Sequence, residues 1–468
     1  MAGRGPTFRG LTQPPTETGD NSDRGLYTGV GGTEGDQAQG SGQGETNLYR
    51  PGNFTMNKLQ IKHKDGTLEL DGGSVASILI TESIFQNTLT CRVIILDATE
   101  QLAELDLDGH EEFIVNFNSE KNRKIGNSFN IYRTEVQSDQ GSGNKGKVYQ
   151  LFGISSEYID QASMDINKAF TGKIHNTVRN IYNTIGSKKR IDLHNTDGVT
   201  THIIPGETPF EAISRLCRRA YSSTFSSSIY LFYEDMRGFN FVNVEKLIAD
   251  GRRRAIPYSY RPDTQVDDKK TVEAQYEIQQ IDFPKGKNLI DKIESGAYAS
   301  AVAEIDIINQ KLDVTTLTVK ENFKDFYHLD KPAITLDKKS IIDRSLNVIN
   351  STKWINKYID GQRHKDNNFG ALITRRKFYG DSLGQIKMNC VVPGNSDLEV
   401  GTVLKLDMLE QSANKETPDQ EKKISGKYLI TEVNHQIQND TYMCTLSCSK
   451  ESYRANVPDI NRYERGNR

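Results

Sequence analysis

From Met56 onward apolar and polar residues alternate in short runs. Lys58-Leu59-Gln60-Ile61-Lys62 alternates, and Ser77-Ile78-Leu79-Ile80-Thr81-Glu82 follows the same texture. A period of two places successive side chains on opposite faces, so such runs predict half-buried strands. Leu89 to Leu96, Glu112 to Phe117, Phe129 to Arg133 and Lys147 to Ile154 continue the pattern, with Gly, Asn and Asp between them. Short strands at regular spacing with such turns predict a barrel or sandwich.

The period then lengthens. Ile174, Val178, Ile181, Tyr182 and Ile185 share one face of a helix predicted over 172–185, which stops at Gly186. A second helix begins at Thr208-Pro209: Thr208 is a natural N-cap, Pro209 suits the first helical position, and Glu211 completes a capping box. Phe210, Ile213, Leu216 and Cys217 form its buried stripe. Ser228 to Glu234 and Gly238 to Asn243 read as a hairpin, completing a small α/β unit. Strand texture returns at 276–283 and 291–319. Residues 337–361 read as a helix carrying Ile341, Ile342, Leu346, Ile349, Ile355 and the single tryptophan, Trp354, in its core stripe. The stretch 371–449 reads as β again, with Gln385 to Val392, Val403 to Leu406, Lys427 to Ile437 and Thr441 to Cys448 as strands. Gln438-Asn439-Asp440 is the turn between the last two. The predicted class is α+β, mainly β.

The first 55 residues differ in kind: they hold 13 of the chain's 38 glycines. A segment so poor in apolar surface cannot offset the entropy of ordering, so it is expected to lie along neighbouring subunits as an assembly arm. The expected organisation is an arm (1–55), a first β domain (56–155), an α/β accessory domain (156–271), a second β domain (272–449) with a helical insertion at about 337–365, and a polar tail (450–468). A chain of 468 residues agrees with several domains. Its 59 basic and 62 acidic residues leave a net charge of -3, which gives no global drive toward nucleic acid. The first ten residues lack the apolar run of a signal peptide, and no stretch reaches transmembrane length, so assembly in a cytosol without a membrane anchor is expected. Five cysteines without paired spacing are expected to be reduced.

Three segments resemble the baseplate hub proteins of contractile-tailed phages and the hub-like half of the type VI secretion spike. Pro205 to Cys217, with Thr208, Pro209, Phe210 and Leu216, is similar to the family's Asp-Thr-Pro-Phe-Glu-Ala-Ile helix. Cys390 to Gly401, with Pro393, Gly394 and Gly401, resembles its Pro-Gly strand-turn. Gly426 to His435, with Tyr428, Ile430 and His435, followed by Tyr442, resembles its closing hairpin. The three occur in family order across roughly 56–449.

The resemblance implies two tail-tube-like β-barrel domains in one chain, each with an α-containing accessory piece. Three chains would then form a pseudo-hexameric ring joining a six-fold tail tube to a three-fold spike, around a channel that DNA crosses without specific binding. It implies a structural protein of the virion tail, assembled in the host cytoplasm, with tube, central spike and baseplate wedge proteins as partners. The glycine-rich arm departs from the family pattern. So does the absence, after 449, of the OB-fold and β-helix of the secretion spike, which favours a phage hub with a separate spike protein. A tail-associated cell-wall hydrolase and another tube or baseplate protein stand as alternatives.

Motif chemistry adds little to this picture. No His-Glu-x-x-His, Gly-x-Ser-x-Gly or phosphate-loop pattern occurs, and no cofactor is expected. Cys444 and Cys448 share a strand face and, with Cys390 and His435, are the weak metal candidates. Their spacing matches no established zinc finger, and buried thiols are the expected outcome. The basic runs Arg252-Arg253-Arg254, Lys188-Lys189-Arg190 and Arg215/Arg218/Arg219 are expected to be solvated or ion-paired, and a channel for DNA is expected not to be basic, because each phosphate contact adds affinity.

Overall fold

The computed structural model describes residues 51–452, apart from 99, 106, 108, 120–122, 139–146, 262–271, 285–289, 291–298, 307–309, 319–321, 331–345, 353–356, 360–361, 365–368, 409–422 and 439. All of them belong to the compact unit Leu48–Arg468. Nearly all of the expected arm and the tail beyond 452 lie outside the described residues.

The first β region supplies β1 (Phe54–His63), β2 (Gly66–Glu69), β3 (Val75–Ser83), β4 (Thr90–Asp97), a helical turn α1 (Gln101–Glu104), β5 (Glu112–Ser119), β6 (Lys124–Ser138) and β7 (Lys147–Ile154). The α/β unit follows: α2 (Ser156–Ala162), β8 (Ile166–Gly172), α3 (Ile174–Ile185), β9 (Arg190–Leu193), β10 (Thr200–Glu207), α4 (Pro209–Cys217), β11 (Tyr230–Asp235), β12 (Gly238–Asn243) and α5 (Val244–Gly251). The second β region holds β13 (Ile256–Tyr260), β14 (Gln280–Asp282), β15 (Ala299–Asp306), β16 (Lys311–Thr318), β17 (Leu346–Thr352), β18 (Lys357–Ile359), β19 (Gln362–His364), α6 (Phe369–Leu383), β20 (Ile386–Pro393), β21 (Val403–Met408), β22 (Gly426–Gln438) and β23 (Thr441–Lys450). The fold is mainly β, as the alternation predicts.

The two β regions are not separate sheets. Thirteen strands share one hydrogen-bonded sheet, in the order β14-β20-β23-β22-β3-β4-β7-β6-β5-β1-β2, with β21 also on β22 and β13 on β21. Among the described residues no closed barrel is found. Alternation sorts the faces cleanly. On β5, Phe113, Val115 and Phe117 are buried while Glu112, Ile114 and Asn116 are not. On β23, Tyr442, Cys444, Leu446 and Cys448 are buried while Met443, Thr445 and Ser447 are not. The buried residues of both regions join in one hydrophobic core.

The α/β unit has its own core, in which α3 and α4 pack on the β11-β12-β9 sheet. The capping box at Thr208 and Glu211 forms as the sequence predicts, and Phe210, Ile213, Leu216 and Cys217 are all buried. Gly186 ends α3 in the left-handed conformation, at φ 75°.

Two expectations are corrected. Residues 346–352, 357–359 and 362–364 are not helical: they form β17, β18 and β19, and β17 pairs in parallel with β15. The apolar spacing there mimics a helix stripe, but Leu346-Asn347-Val348-Ile349-Asn350-Ser351-Thr352 is rich in β-branched and Asn/Ser residues, which weaken helices. Trp354, Ile341, Ile342 and Ile355 lie outside the described residues. The helix instead covers Phe369–Leu383, read from sequence as β. Its two glycines and scattered polar residues leave no periodic stripe; burial of Leu372, Phe378, Tyr379 and Leu383 holds it, with Phe326 against Phe378 and Tyr379 at 5.3 Å between ring centroids.

An ionic clamp fastens the α/β unit to the first β region. Lys189 Nζ lies 2.7 Å from Glu157 Oε2, 2.6 Å from Glu234 Oε1 and 3.3 Å from Ser155 Oγ. Glu234 Oε2 in turn accepts from the Leu89 amide at 3.0 Å and from Ser155 Oγ at 2.6 Å. Burial drives the Glu234 carboxyl above its ordinary range, opposed by Lys189. Burial alone would lower the Lys189 ammonium, yet Glu234 and Glu157 raise it. Removing one member of a buried ion network strands the others, at about 3–5 kcal/mol. Lys189→Met is therefore expected to destabilise by about 3 kcal/mol, read as a lowered Tm with faster amide exchange at Leu89; an unchanged Tm would show that the clamp is idle.

Candidate functional site at the seam of the two β regions

β22 is the strand on which the chain's two β regions meet. Its first residues pair with β21, Leu404 opposite Tyr428 and Lys405 opposite Lys427. The same edge then passes to β3, where Glu432 to Gln438 pair antiparallel with Ser83 to Ser77. The far edge of β22 pairs with β23 along nearly its whole length, with a bulge between Ile430 and Glu432 at the level where the other edge changes partner.

The structure brings most of the resemblance residues to this seam. Tyr442 is its hub. Its ring meets Phe117 of the first β region at 5.2 Å and Phe54 at 6.3 Å, both edge-on. Its carbonyl accepts from the Gly394 amide at 2.8 Å, and its amide donates to Gly52 at 3.1 Å. A Cβ on Gly394 would sit 2.1 Å from Tyr442 Cδ1, so the Pro393-Gly394 turn needs glycine to admit the ring. Gly401 has φ +77°, and a Cβ there would lie 2.7 Å from the Tyr233 hydroxyl. Around it Gly401 donates to Ile430 and Ile430 to Thr402, each at 2.9 Å. Tyr428 is fully buried, its hydroxyl donating to the Ile424 carbonyl at 2.5 Å. Thr208, Pro209, Phe210 and Leu216 are not part of this assembly; they build the α/β core.

His435 carries the polar side of the seam. Its Nδ1 is 2.7 Å from the Tyr442 hydroxyl and its Nε2 is 3.1 Å from Glu82 Oε1 on β3. All three side chains are shut off from solvent. Burial, then Asp235 and Glu399, drive the Glu82 carboxyl well above its ordinary range, against the Val400 amide and Arg123. Arg123, from the approach to β6, pairs with Glu399 Oε1, and Arg237 Nε lies 2.7 Å from the same oxygen. Glu82, Arg123 and Glu399 were not singled out in sequence; a carboxyl at the end of an apolar strand was the one available signal for Glu82.

The weak metal candidates divide into two pairs. Cys444 Sγ lies 3.5 Å from His435 Nδ1, whose ring nitrogens already face Tyr442 and Glu82. Cys390 is hydrogen-bonded to Cys448, whose thiol this bond and burial push upward. Among the described residues no group of three His, Cys, Asp or Glu side chains is placed to hold a metal. All five cysteines are free and buried. A hydrogen-bonded chain sealed in this way offers no path to a substrate, so its chemistry holds two β regions in register. Among the described residues no helix is long and apolar enough to cross a membrane.

No protein-family model matches the chain, and no curated protein matches its sequence. Among solved structures it is similar to the 43 kDa tail protein of prophage MuSo2 from Shewanella oneidensis, with a TM-score of 0.52 and 9% identity over 84% of this chain and 98% of that one. A tail protein from Neisseria meningitidis MC58 scores 0.49 at 9% identity over 85% and 97%. Prophage tail protein gp18 from Listeria monocytogenes EGD-e scores 0.45 at 9% identity over 87% and 98%. The likeness to the Shewanella protein bears out, at the level of fold, the resemblance to phage tail proteins read from the three motifs.

Two substitutions test the seam. Gly394→Ala forces a methyl group into the Tyr442 ring and is expected to cost about 3 kcal/mol, the upper end of overpacking penalties, as a loss of Tm in calorimetry. For Glu82, a folded pKa above the unfolded value of ~4.3 means that its stabilising contribution is complete below ~4.3 and is lost as pH rises through the folded value. Glu82→Gln stays neutral, so its Tm is expected to gain on the parent as pH is raised from 5 to 8. A gain that shrinks with pH would mean that Glu82 is held as the anion of a His435 ion pair.

Proposed function

We propose that this chain is the structural hub of a contractile-tail baseplate. In this reading residues 56–155 and 272–449 are the two tube-like modules, residues 156–271 are accessory, and three chains build a ring with the pseudo-symmetry of six modules. The tail tube docks above, a separate three-fold spike below, and baseplate wedge proteins around. DNA crosses the centre, and the glycine-rich residues 1–55 serve contacts between subunits. The particle is a virion tail, assembled in the host cytoplasm.

The observation that carries this reading is the β3–β22 seam. It sets two β regions side by side in one sheet over one core, the arrangement a chain needs if it is to stand in for two neighbouring tube subunits. The fold shared with the Shewanella tail protein supports it. So do the sheet's ends. β2 and β14, of four and three residues, finish the long sheet path, and short end strands can accept pairing from another copy. A contact of this kind closes into a ring when its rotation returns on itself.

Mass photometry and image averaging of the purified chain, alone and mixed with the spike protein, test the proposal. A trimer with three-fold averages is expected. A chain that stays monomeric in both conditions would overturn the hub, and a six-fold ring would move it to the tube. Incubation with peptidoglycan is expected to produce no clearing; clearing would favour the hydrolase reading.

A further inference from the structure

Between the α/β unit and the second β region lies a cavity of about 500 Å3. A crevice between packed units is a common place for a binding site, and this size falls within the usual range. One wall is β9 with its neighbour β12, a second is α5, and the third is Gly401 to Val403 at the start of β21. The walls meet at glycines. A Cβ on Gly251 would lie 2.5 Å from Val403 Cγ2, and one on Gly401 would lie 3.2 Å from Leu247 Cδ2. Neither glycine puts a side chain into the space it borders, so α5 packs close while the cavity stays open.

The cavity follows the outer edge of β9. Asp192 and Leu193 are neighbours on a strand, so their side chains point to opposite faces. Both border the cavity, and what they share with it is the edge of the strand. β9 is the last strand of the β11-β12-β9 sheet. It runs parallel to β12, and the His194 amide donates to the Phe241 carbonyl at 2.8 Å. Backbone groups alternate in direction along a strand, so Asp192 also turns its N–H and C=O toward β12, while Ile191 and Leu193 turn theirs outward. Among the described residues these outward groups have no hydrogen-bond partner. An incoming strand pairs with edge groups of this kind.

The side walls add an apolar seat and a charge. Val242, Leu247, Ile256 and Val403 give the seat. Among the described residues no Phe, Tyr or Trp borders the cavity, so a nucleobase would find no aromatic face to stack on. Of the charged side chains there, Lys246 pairs with Asp250 one helical turn on, and Asp192 lies 3.4 Å from Arg190. Burial, then Lys246, lower the His194 imidazole, which brings no charge at neutral pH. Arg254 makes no ion pair among the described residues, nor does Arg253 beside it, and both are exposed. The surplus is cationic. The basic runs 188–190 and 252–254 thus both reach this cleft, Arg190 through Asp192 and Arg254 directly.

We propose that the cleft is a docking site for an extended, acidic segment of a partner protein, which adds to the open edge of β9 as a further strand. The segment pairs its backbone with Ile191 and Leu193, seats an aliphatic side chain against Val242 and Leu247, and sets a carboxylate beside Arg254. Backbone pairing supplies affinity, and the seated side chain supplies specificity. The site is complete within one chain, so it stands whatever the oligomeric state.

The test uses the full-length chain and a set of fluorescein-labelled peptides in which one apolar residue, Val, Leu, Ile or Phe, is flanked by alternating Asp and Ser. Fluorescence anisotropy is expected to show saturable binding of at least one of them, weakened about five-fold by Arg254→Glu, as fits an exposed pair turned repulsive. Amide exchange at Leu193 is expected to slow in the complex. Peptides N-methylated at alternate backbone positions then separate strand addition from charge attraction. One alternate set faces β9, and its methylation is expected to abolish binding; methylation of the other set is expected to leave most of it. These peptides leave the protein unaltered, so the result does not hang on whether a variant folds. Binding by none of the peptides, equal binding when Lys replaces Asp, or indifference to which set is methylated would each overturn the assignment.

Discussion

Everything in this molecule depends on the register of β22 against β3. A strand has a side-chain period of two, so a slip of one residue would send the core side chains of a whole region to the solvent face. Here the slip would expose Val433, His435 and Ile437 and bury Asn434 and Gln436 in their place. Several features fix the register. The bulge at Thr431 fixes β22 against β23 at the level where its other edge passes from β21 to β3. The Tyr442 ring fills the space left by Gly394 and touches Phe117 across the seam. The Glu82–His435–Tyr442 chain then ties the polar atoms of β3, β22 and β23 together at one level. A desolvated carboxyl weakens the fold at neutral pH, but its partners, His435 and the Val400 amide, are both held in place, and a polar group that can be satisfied in a single arrangement specifies that arrangement.

Much of this was legible in the chain. Alternation found the strands of the sheet because one face is buried and the other is not, so the period-two signal is strong on nearly every strand. Thr208, Pro209 and Glu211 announced α4 because capping is local chemistry, written in adjacent residues. Gly186 marked the end of α3 for the same reason. Pro393, Gly394 and Tyr442 could be recognised as a pattern, but their reason could not, since a glycine that makes room for a ring 48 residues later is a tertiary fact. The pairing of β3 with β22, about 350 residues apart, leaves no trace in local composition.

The misreadings have physical causes as well. Leu346 to Thr352 carries Leu346 and Ile349 at a spacing that satisfies a helix stripe, yet it pairs with β15, and pairing decides between two states of similar local preference. Phe369 to Leu383 carries two glycines and no stripe, and becomes a helix because Phe378 and Tyr379 find Phe326. Lys189 sat inside a basic run read as solvated or ion-paired, but which carboxylates would claim it is not written nearby. The fold surrounds it with Glu157, Glu234 and Ser155, and those carboxylates come from α2 and β11.

The same alternation separates two kinds of polar chemistry. On the core side each polar group answers to fixed partners, as His435 does to Glu82 and Tyr442, and its role is to specify one packing. On the uncovered side Asn434, Gln436 and Thr81 share hydrogen bonds along the surface, where water can replace any of them. A solvated face makes no single arrangement obligatory, so amides and hydroxyls there leave the strands free to follow the requirements of the core. The two demands, rigidity behind and indifference in front, are therefore compatible in one sheet, because a side-chain period of two lets every strand meet both.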